Sequence, residues 1–224
     1  MTTQIIYEAT CLFLALATGI FAYPYMNKFM RMLFFQLVIW IPFYIAAHLL
    51  TYYQKNFGLN EDNQFIFNIY IQIELFMLLT ASVILLNDKM SKHLAGILYT
   101  SFIIILFLQM SFSDVSVFAN YAIAVSGFAV TILYILILYR LLKTNPSLLK
   151  HSPEIWASLG LIIYSACNVP YFTMFHYLNA HYLELSAKLF HVITDVLANI
   201  RYLFLALAFW LVWKNRPVPL SNVT

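Results

Sequence analysis

Seven long apolar stretches fill this 224-residue chain, and the short connectors between them carry basic residues on alternate sides. The stretches are 5–23, 32–53, 64–86, 93–112, 116–142, 154–175 and 185–213. A helix that crosses a bilayer needs about 20 mostly apolar residues. In hydrocarbon every backbone polar group has to be satisfied within the spanning structure, which leaves helices or closed barrels. The runs are continuous and do not alternate, which selects helices. Only 9% of the residues are charged, against roughly 25% in a soluble domain. The expected fold is all-α: a single seven-transmembrane-helix bundle over residues 1–214, with a short disordered cytoplasmic tail at 215–224. No stretch remains for a soluble catalytic or nucleic-acid-binding domain.

Charge is sorted by side. Connectors one, three and five and the tail hold Lys28, Arg31, Lys89, Lys92, Arg140, Lys143, Lys150, Lys214 and Arg216. The other side holds Lys55 and Lys188 with Glu8, Glu61, Asp62, Asp114 and Glu184. The positive-inside rule therefore puts the N-terminus outside and the C-terminus in the cytoplasm, with Trp210 and Trp213 as an inner-interface anchor. Glu8 within the first apolar run, with nothing basic before it, does not fit a cleaved signal peptide. Richness in Ile, Asn, Tyr and Phe points to a bacterial inner membrane. Cys11 and Cys167 read as packing residues.

Tight connectors make sequential helices antiparallel neighbours. Helices two and six echo each other: Pro42 and Pro170 each precede two aromatic residues and, six positions on, His48 and His176. Such an echo is the pattern of two three-helix units joined by a fourth helix, as in parallel-repeat transporters.

Ionisable groups inside a span cost at least roughly 2.5–3.5 kcal/mol each, which makes them candidates for function. Glu74 and Arg201 fall near the middle of their helices, and an intramembrane ion pair between them is the simplest way to tolerate both. On the last helix Lys188, His191, Asp195, Asn199 and Tyr202 recur every three or four residues and form one helical face. Glu8, Tyr7, His48, Asn68, Gln72, Gln109, Asn168 and Tyr171 lie at similar depth on other helices. Together they predict an outward-facing polar cup, with ligand-binding residues His191, Asp195, His48, Glu8, Asn168, Gln72, Asn199 and Tyr171. Tyr70, Tyr121, Tyr164 and Tyr202 are candidates for its amphipathic walls.

Two resemblances bear on chemistry. His48 on helix two, with His191 and Asp195 four apart on helix seven, resembles the seven-helix zinc hydrolases of the ceramidase and adiponectin-receptor type. That likeness implies a metal-dependent lipid hydrolase with those three residues as ligands. The chain departs from the pattern at Asp195, where a second histidine belongs, and at Tyr44, where a serine belongs. A hydrogen-bonded histidine–carboxylate pair without metal fits those residues better. A retinal protein needs a lysine where Arg201 stands, and an arginine forms no Schiff base at ordinary pH. The stretches 153–160 (Pro-Glu-Ile-Trp-Ala-Ser-Leu-Gly) and 200–213 resemble uncharacterised bacterial seven-helix integral membrane proteins, mainly over helices six and seven. That likeness implies topology and no activity.

Walker loops, G-x-G-x-x-G, H-E-x-x-H and G-x-S-x-G are missing, so no catalytic residue and no cofactor are expected. The leading expectation is a receptor-like membrane sensor that binds a small-molecule or lipid ligand and signals to a membrane or cytoplasmic partner. The alternatives are a small-solute or proton-coupled transporter with a 3+1+3 repeat, and the metal-dependent lipid hydrolase. The lipid bilayer is the surrounding partner, and no nucleic acid is expected.

Overall fold

A computed structural model describes residues 2–57, 64–112, 119–144 and 151–216. The expected tail at 215–224 lies mostly outside the described residues. The elements are α1 (Thr2–Ala22), a 3-10 turn (Tyr23–Tyr25), α2 (Lys28–Phe57), α3 (Gln64–Leu86), α4 (Lys89–Phe112), α5 (Asn120–Thr144), α6 (Pro153–His181), α7 (Leu183–His191), a π segment (Val192–Leu197) and α8 (Ala198–Lys214). Among the described residues there is no strand. Six helices, α1 to α6, are long and apolar enough to cross a membrane. The seventh apolar stretch is one unbroken run of helix that changes pitch twice. Only Tyr182 separates α6 from α7, so the connector expected at 176–184 is almost entirely helical.

Helices α1, α2, α3, α5, α6 and α8 close a ring in that order, with α8 packed on α1. The fourth helix stands outside the ring against α3 and α5. Large apolar side chains cover the outer surface, among them Phe13 at 71%, Phe21 at 69% and Phe107 at 70% exposure. A soluble monomer rarely leaves so much contiguous apolar surface uncovered, whereas lipid solvates it.

Lipid supplies no hydrophobic drive between helices, so close packing through small residues has to hold them. A Cβ built on Gly160 would lie 2.5 Å from Phe204 Cβ, and one on Gly127 would lie 2.9 Å from the Ser165 carbonyl oxygen. These glycines let α6 approach α8 and α5. Pro42 and Pro170 sit inside α2 and α6, which continue through them.

The ends of the helices carry the polar fastenings. The basic connectors lie at the end of the bundle where α2, α4 and α6 begin, hereafter the basic end. Asn27 accepts from the Met30 N–H at 2.9 Å, the geometry of an N-cap on α2. Its amide also donates to Glu154 Oε1 at 2.8 Å, which ties the start of α2 to the start of α6. Asn87, at φ 44°, turns the chain out of α3, and asparagine tolerates that left-handed backbone. Asp88 then caps α4 by accepting from the Ser91 N–H at 3.2 Å. Arg140 of α5 grips Asp88 with both guanidinium nitrogens, at 2.8 and 3.1 Å. Trp210 and Trp213 lie under Lys214 and Arg216, 4.9 and 4.6 Å from ring centre to cation.

At the opposite end, polar residues expected to face a cup instead join helices. Asn68 accepts from the Ala119 N–H at 3.0 Å, and Gln109 donates to Asn120 Oδ1 at 2.7 Å. Asn120 donates to the Phe172 carbonyl at 3.0 Å. Tyr171 lies 3.3 Å from the Ser186 carbonyl oxygen, across the tight turn into α7.

The close approach at Gly160 and the clasp at Asp88 can each be tested. Gly160→Ala lowers the melting temperature by the equivalent of about 1–3 kcal/mol of overpacking, whereas Gly96→Ala, with nothing within 4 Å of its Cβ, is neutral or stabilising by up to about 1 kcal/mol. Equal effects in detergent melts would show that the glycine does not set the α6–α8 distance. For Asp88, the hydrogen bonds from Arg140 and then Ser91 hold the carboxyl well below its usual range. A depressed native pKa adds stability above the unfolded value of about 3.9 and loses it as pH falls further. The melting gap between parent and Asp88→Asn is therefore widest near neutral pH and narrows below about pH 4; a gap that stays constant down to pH 3 contradicts it.

Candidate functional site

A cavity of about 310 Å³ occupies the half of the bundle away from the basic end. Every helix except α4 contributes to its wall. At the rim stand Glu8 of α1, His48 of α2 and Phe190 of α7. His48 and Phe190 are exposed and Glu8 is half-buried, so the cavity reaches the surface there.

Its floor is an ion pair. Arg201 Nη1 of α8 donates to Glu74 Oε1 of α3 at 2.6 Å. The Gln36 amide of α2 donates to the same oxygen at 2.9 Å and reaches the Tyr70 hydroxyl at 2.6 Å. The Arg201 guanidinium lies 4.3 Å from the Tyr164 ring centre and 5.2 Å from that of Tyr202. A charge buried this deeply is tolerable only with a close counter-charge and polarisable surroundings, and both are present. The two partners are not equally covered: the Arg201 side chain is 4% exposed and that of Glu74 15%. Toward the basic end from the pair lie the buried side chains of Leu33, Leu37, Leu133, Tyr134, Leu161 and Leu205.

Of the residues expected in the cup, Glu8, His48 and Asn168 line this cavity, together with Tyr70, Tyr164 and Tyr202 and the expected ion pair of Glu74 and Arg201. His191, Gln72, Asn199, Tyr171 and Tyr121 are not in its wall. The Gln72 amide donates to the Asn68 carbonyl of its own helix at 3.3 Å, Asn199 is half-buried beside the floor, and Lys188 and His191 lie exposed. Asp195 sits in the π segment, and its side chain lies outside the described residues.

The expected stripe requires an unbroken α-helix. A π turn closes on the fifth residue instead of the fourth, and each inserted residue rotates the remainder of the helix by about 100°. Lys188 and His191 therefore leave the face that carries Tyr202. No group of three or more His, Cys, Asp or Glu side chains among the described residues is placed to hold a metal. The expected trio of His191, Asp195 and His48 includes the undescribed Asp195 side chain, and of the other two only His48 borders the cavity. Cys11 and Cys167 are free thiols.

The stripe that does line the site is on α2. Gln36, Trp40, Tyr44, Ala47 and His48 share one helical face. Gln36 binds the ion pair, and the other four border the cavity. In the sequence that spacing is present but reads as aromatic bulk. The wall also has a two-fold register. Ile71 and Ala198, and Leu75 and Tyr202, share the 127-residue interval of Glu74 and Arg201. Trp40 and Asn168, and Tyr44 and Phe172, lie one residue further apart, as do Pro42 and Pro170.

Removing one member of a buried pair strands the other in low dielectric, at a cost of about 3–5 kcal/mol, whereas removing both together is often tolerated. Arg201→Met therefore lowers the melting temperature more than the double substitution Glu74→Gln with Arg201→Met. A double variant less stable than the single would place the pair's importance elsewhere. The chain matches no protein-family profile, and no curated protein and no solved structure is significantly similar to it.

Proposed function

We propose that the chain is a receptor-like membrane sensor that binds a small ligand in the cavity above the Glu74–Arg201 pair. In this reading the protein spans the membrane seven times, with α7, the π segment and α8 forming the seventh span. The N-terminus is outside, and the cavity opens outward. The basic connectors and tail, gathered at the opposite end, support that orientation. The observation that carries the proposal is the geometry of the cavity: an exposed rim leads down to a charged floor that ties α2, α3 and α8 together. A ligand that prefers one arrangement of that floor shifts the relation of α8 to α3, and the π segment gives α8 a place to rotate. The change is then read at the basic end by a membrane or cytoplasmic partner.

One observation favours a second reading. The register-matched residues on α2 and α6, and on α3 and α8, are what a duplicated three-helix unit produces, and parallel repeats with a central site are a transporter device. A carrier exposes its cavity to both sides in turn, whereas a sensor keeps it open to one.

Both readings meet one experiment. Ser126, a half-buried wall residue on α5, is replaced by cysteine in a Cys11→Ala, Cys167→Ala background and reconstituted in vesicles. A membrane-impermeant thiosulfonate modifies it from the side of the rim, and the cavity-filling change Ala198→Phe slows that reaction at least tenfold. Modification from the rim side alone supports the sensor, and modification from both sides supports the carrier. A thiol that stays unmodified from either side rules out an accessible binding cavity.

A further inference from the structure

Resting on the binding cavity proposed above, the composition of its wall specifies a class of ligand. Two carboxylates, Glu8 and Glu74, border the space. The only guanidinium or ammonium among the described wall residues is Arg201, and it is already engaged. Its side chain is 4% exposed, with Glu74 at 2.6 Å on one side and the Tyr164 face at 4.3 Å on another. Glu74 keeps 15% of its side chain uncovered. The guanidinium is thus the more deeply covered member of the pair, and the described wall carries two carboxylates against one such cation.

The remaining wall points the same way. Trp40, Tyr44, Phe67, Tyr164, Phe172 and Phe190 present rings from α2, α3, α6 and α7. Ring faces carry negative potential and attract cations, most strongly where water is excluded. Arg201 already exploits this, lying against Tyr164 and Tyr202. An anion would face two carboxylates and several aromatic rings, with Arg201 the one guanidinium or ammonium in the described wall and already bound to Glu74. A neutral solute would forgo the electrostatic part of the site. The volume of about 310 Å³ corresponds to roughly ten waters, which limits the occupant to a small molecule.

We propose that the cavity takes a small monovalent organic cation, a protonated amine or a quaternary ammonium, with its charged head toward Glu74 and Glu8 and its hydrocarbon against the aromatic wall. His48 at the rim, in edge contact with Tyr44 at 4.3 Å, borders the entry path.

The Ser126→Cys protein in the same cysteine-free background tests this directly. Two thiosulfonates of similar size are compared, one bearing trimethylammonium and one bearing sulfonate. Each rate is divided by that reagent's rate with a small free thiol in the same buffer. The expected result is a normalised preference of tenfold or more for the cation. Choline slows the reaction, while 3,3-dimethylbutan-1-ol, of the same shape without charge, does not. Glu8→Gln lowers the preference several-fold. A normalised ratio near one, or equal protection by choline and its neutral isostere, overturns the cation assignment while leaving the cavity itself in place. A preference unchanged both in Glu8→Gln and in Glu74→Gln with Arg201→Met also overturns it. Failure of both reagents to react at all removes the cavity reading, and the ligand class with it.

Discussion

The bond between Arg201 and Glu74 organises the interior of this protein. Neither charge is tolerable alone at that depth, and the desolvation of two ions is offset only by close geometry and added hydrogen bonds. The chain provides both by drawing in a third helix through Gln36 and two tyrosine rings through α6 and α8. The register of α2, α3 and α8 is therefore set by polar chemistry near mid-helix. The packing around the pair divides the bundle in two. On the basic side, Leu, Tyr and Phe side chains are buried against one another; on the other, the rings beside the arginine border a hollow.

Elsewhere the helices are held by modest means. Between surfaces as apolar as the lipid tails, association depends on van der Waals contact and on interhelical hydrogen bonds averaging roughly 0.6 kcal/mol. Gly127 and Gly160 bring backbones close enough for the first, and Asn68, Asn120 and Gln109 supply the second near the helix ends. At the basic end, the caps at Asn27 and Asp88 do double duty. Each satisfies a helix N-terminus and also clasps a residue of a distant helix, Glu154 or Arg140. The π segment in the last helix breaks an otherwise regular ladder close to the cavity, and such interruptions recur at functional sites.

How much of the site is legible in the sequence depends on how each signal is made. Glu74 and Arg201 are visible as partners because two unlike charges in hydrocarbon have few other solutions. Glu8, His48 and Asn168 are visible as polar groups at matching depth. The stripe from Lys188 to Tyr202 keeps Tyr202 at the cavity and loses Lys188 and His191 from it, because its spacing carries no mark of the π turn, a feature set by how the helix packs. Gln36 is easily overlooked because an amide among aromatic residues looks incidental until the carboxylate it holds is in place. Asn68, Gln109 and Tyr171 are expected at a binding surface and instead join helices, since a polar side chain at a given depth serves either role equally well on paper.

By itself the sequence determined that this is an all-helical chain with spans long enough for a bilayer, and it sorted most of the basic residues to one end. Those properties reside in length, hydropathy and charge order, which local chemistry decides residue by residue. Only the tertiary structure decided which helix faces meet, where the seventh stretch changes pitch, and that the guanidinium is more deeply covered than its carboxylate partner at the wall of the hollow. Such features arise from the mutual fit of helices distant in the chain, and one inserted residue in a helical turn is enough to redirect every side chain beyond it.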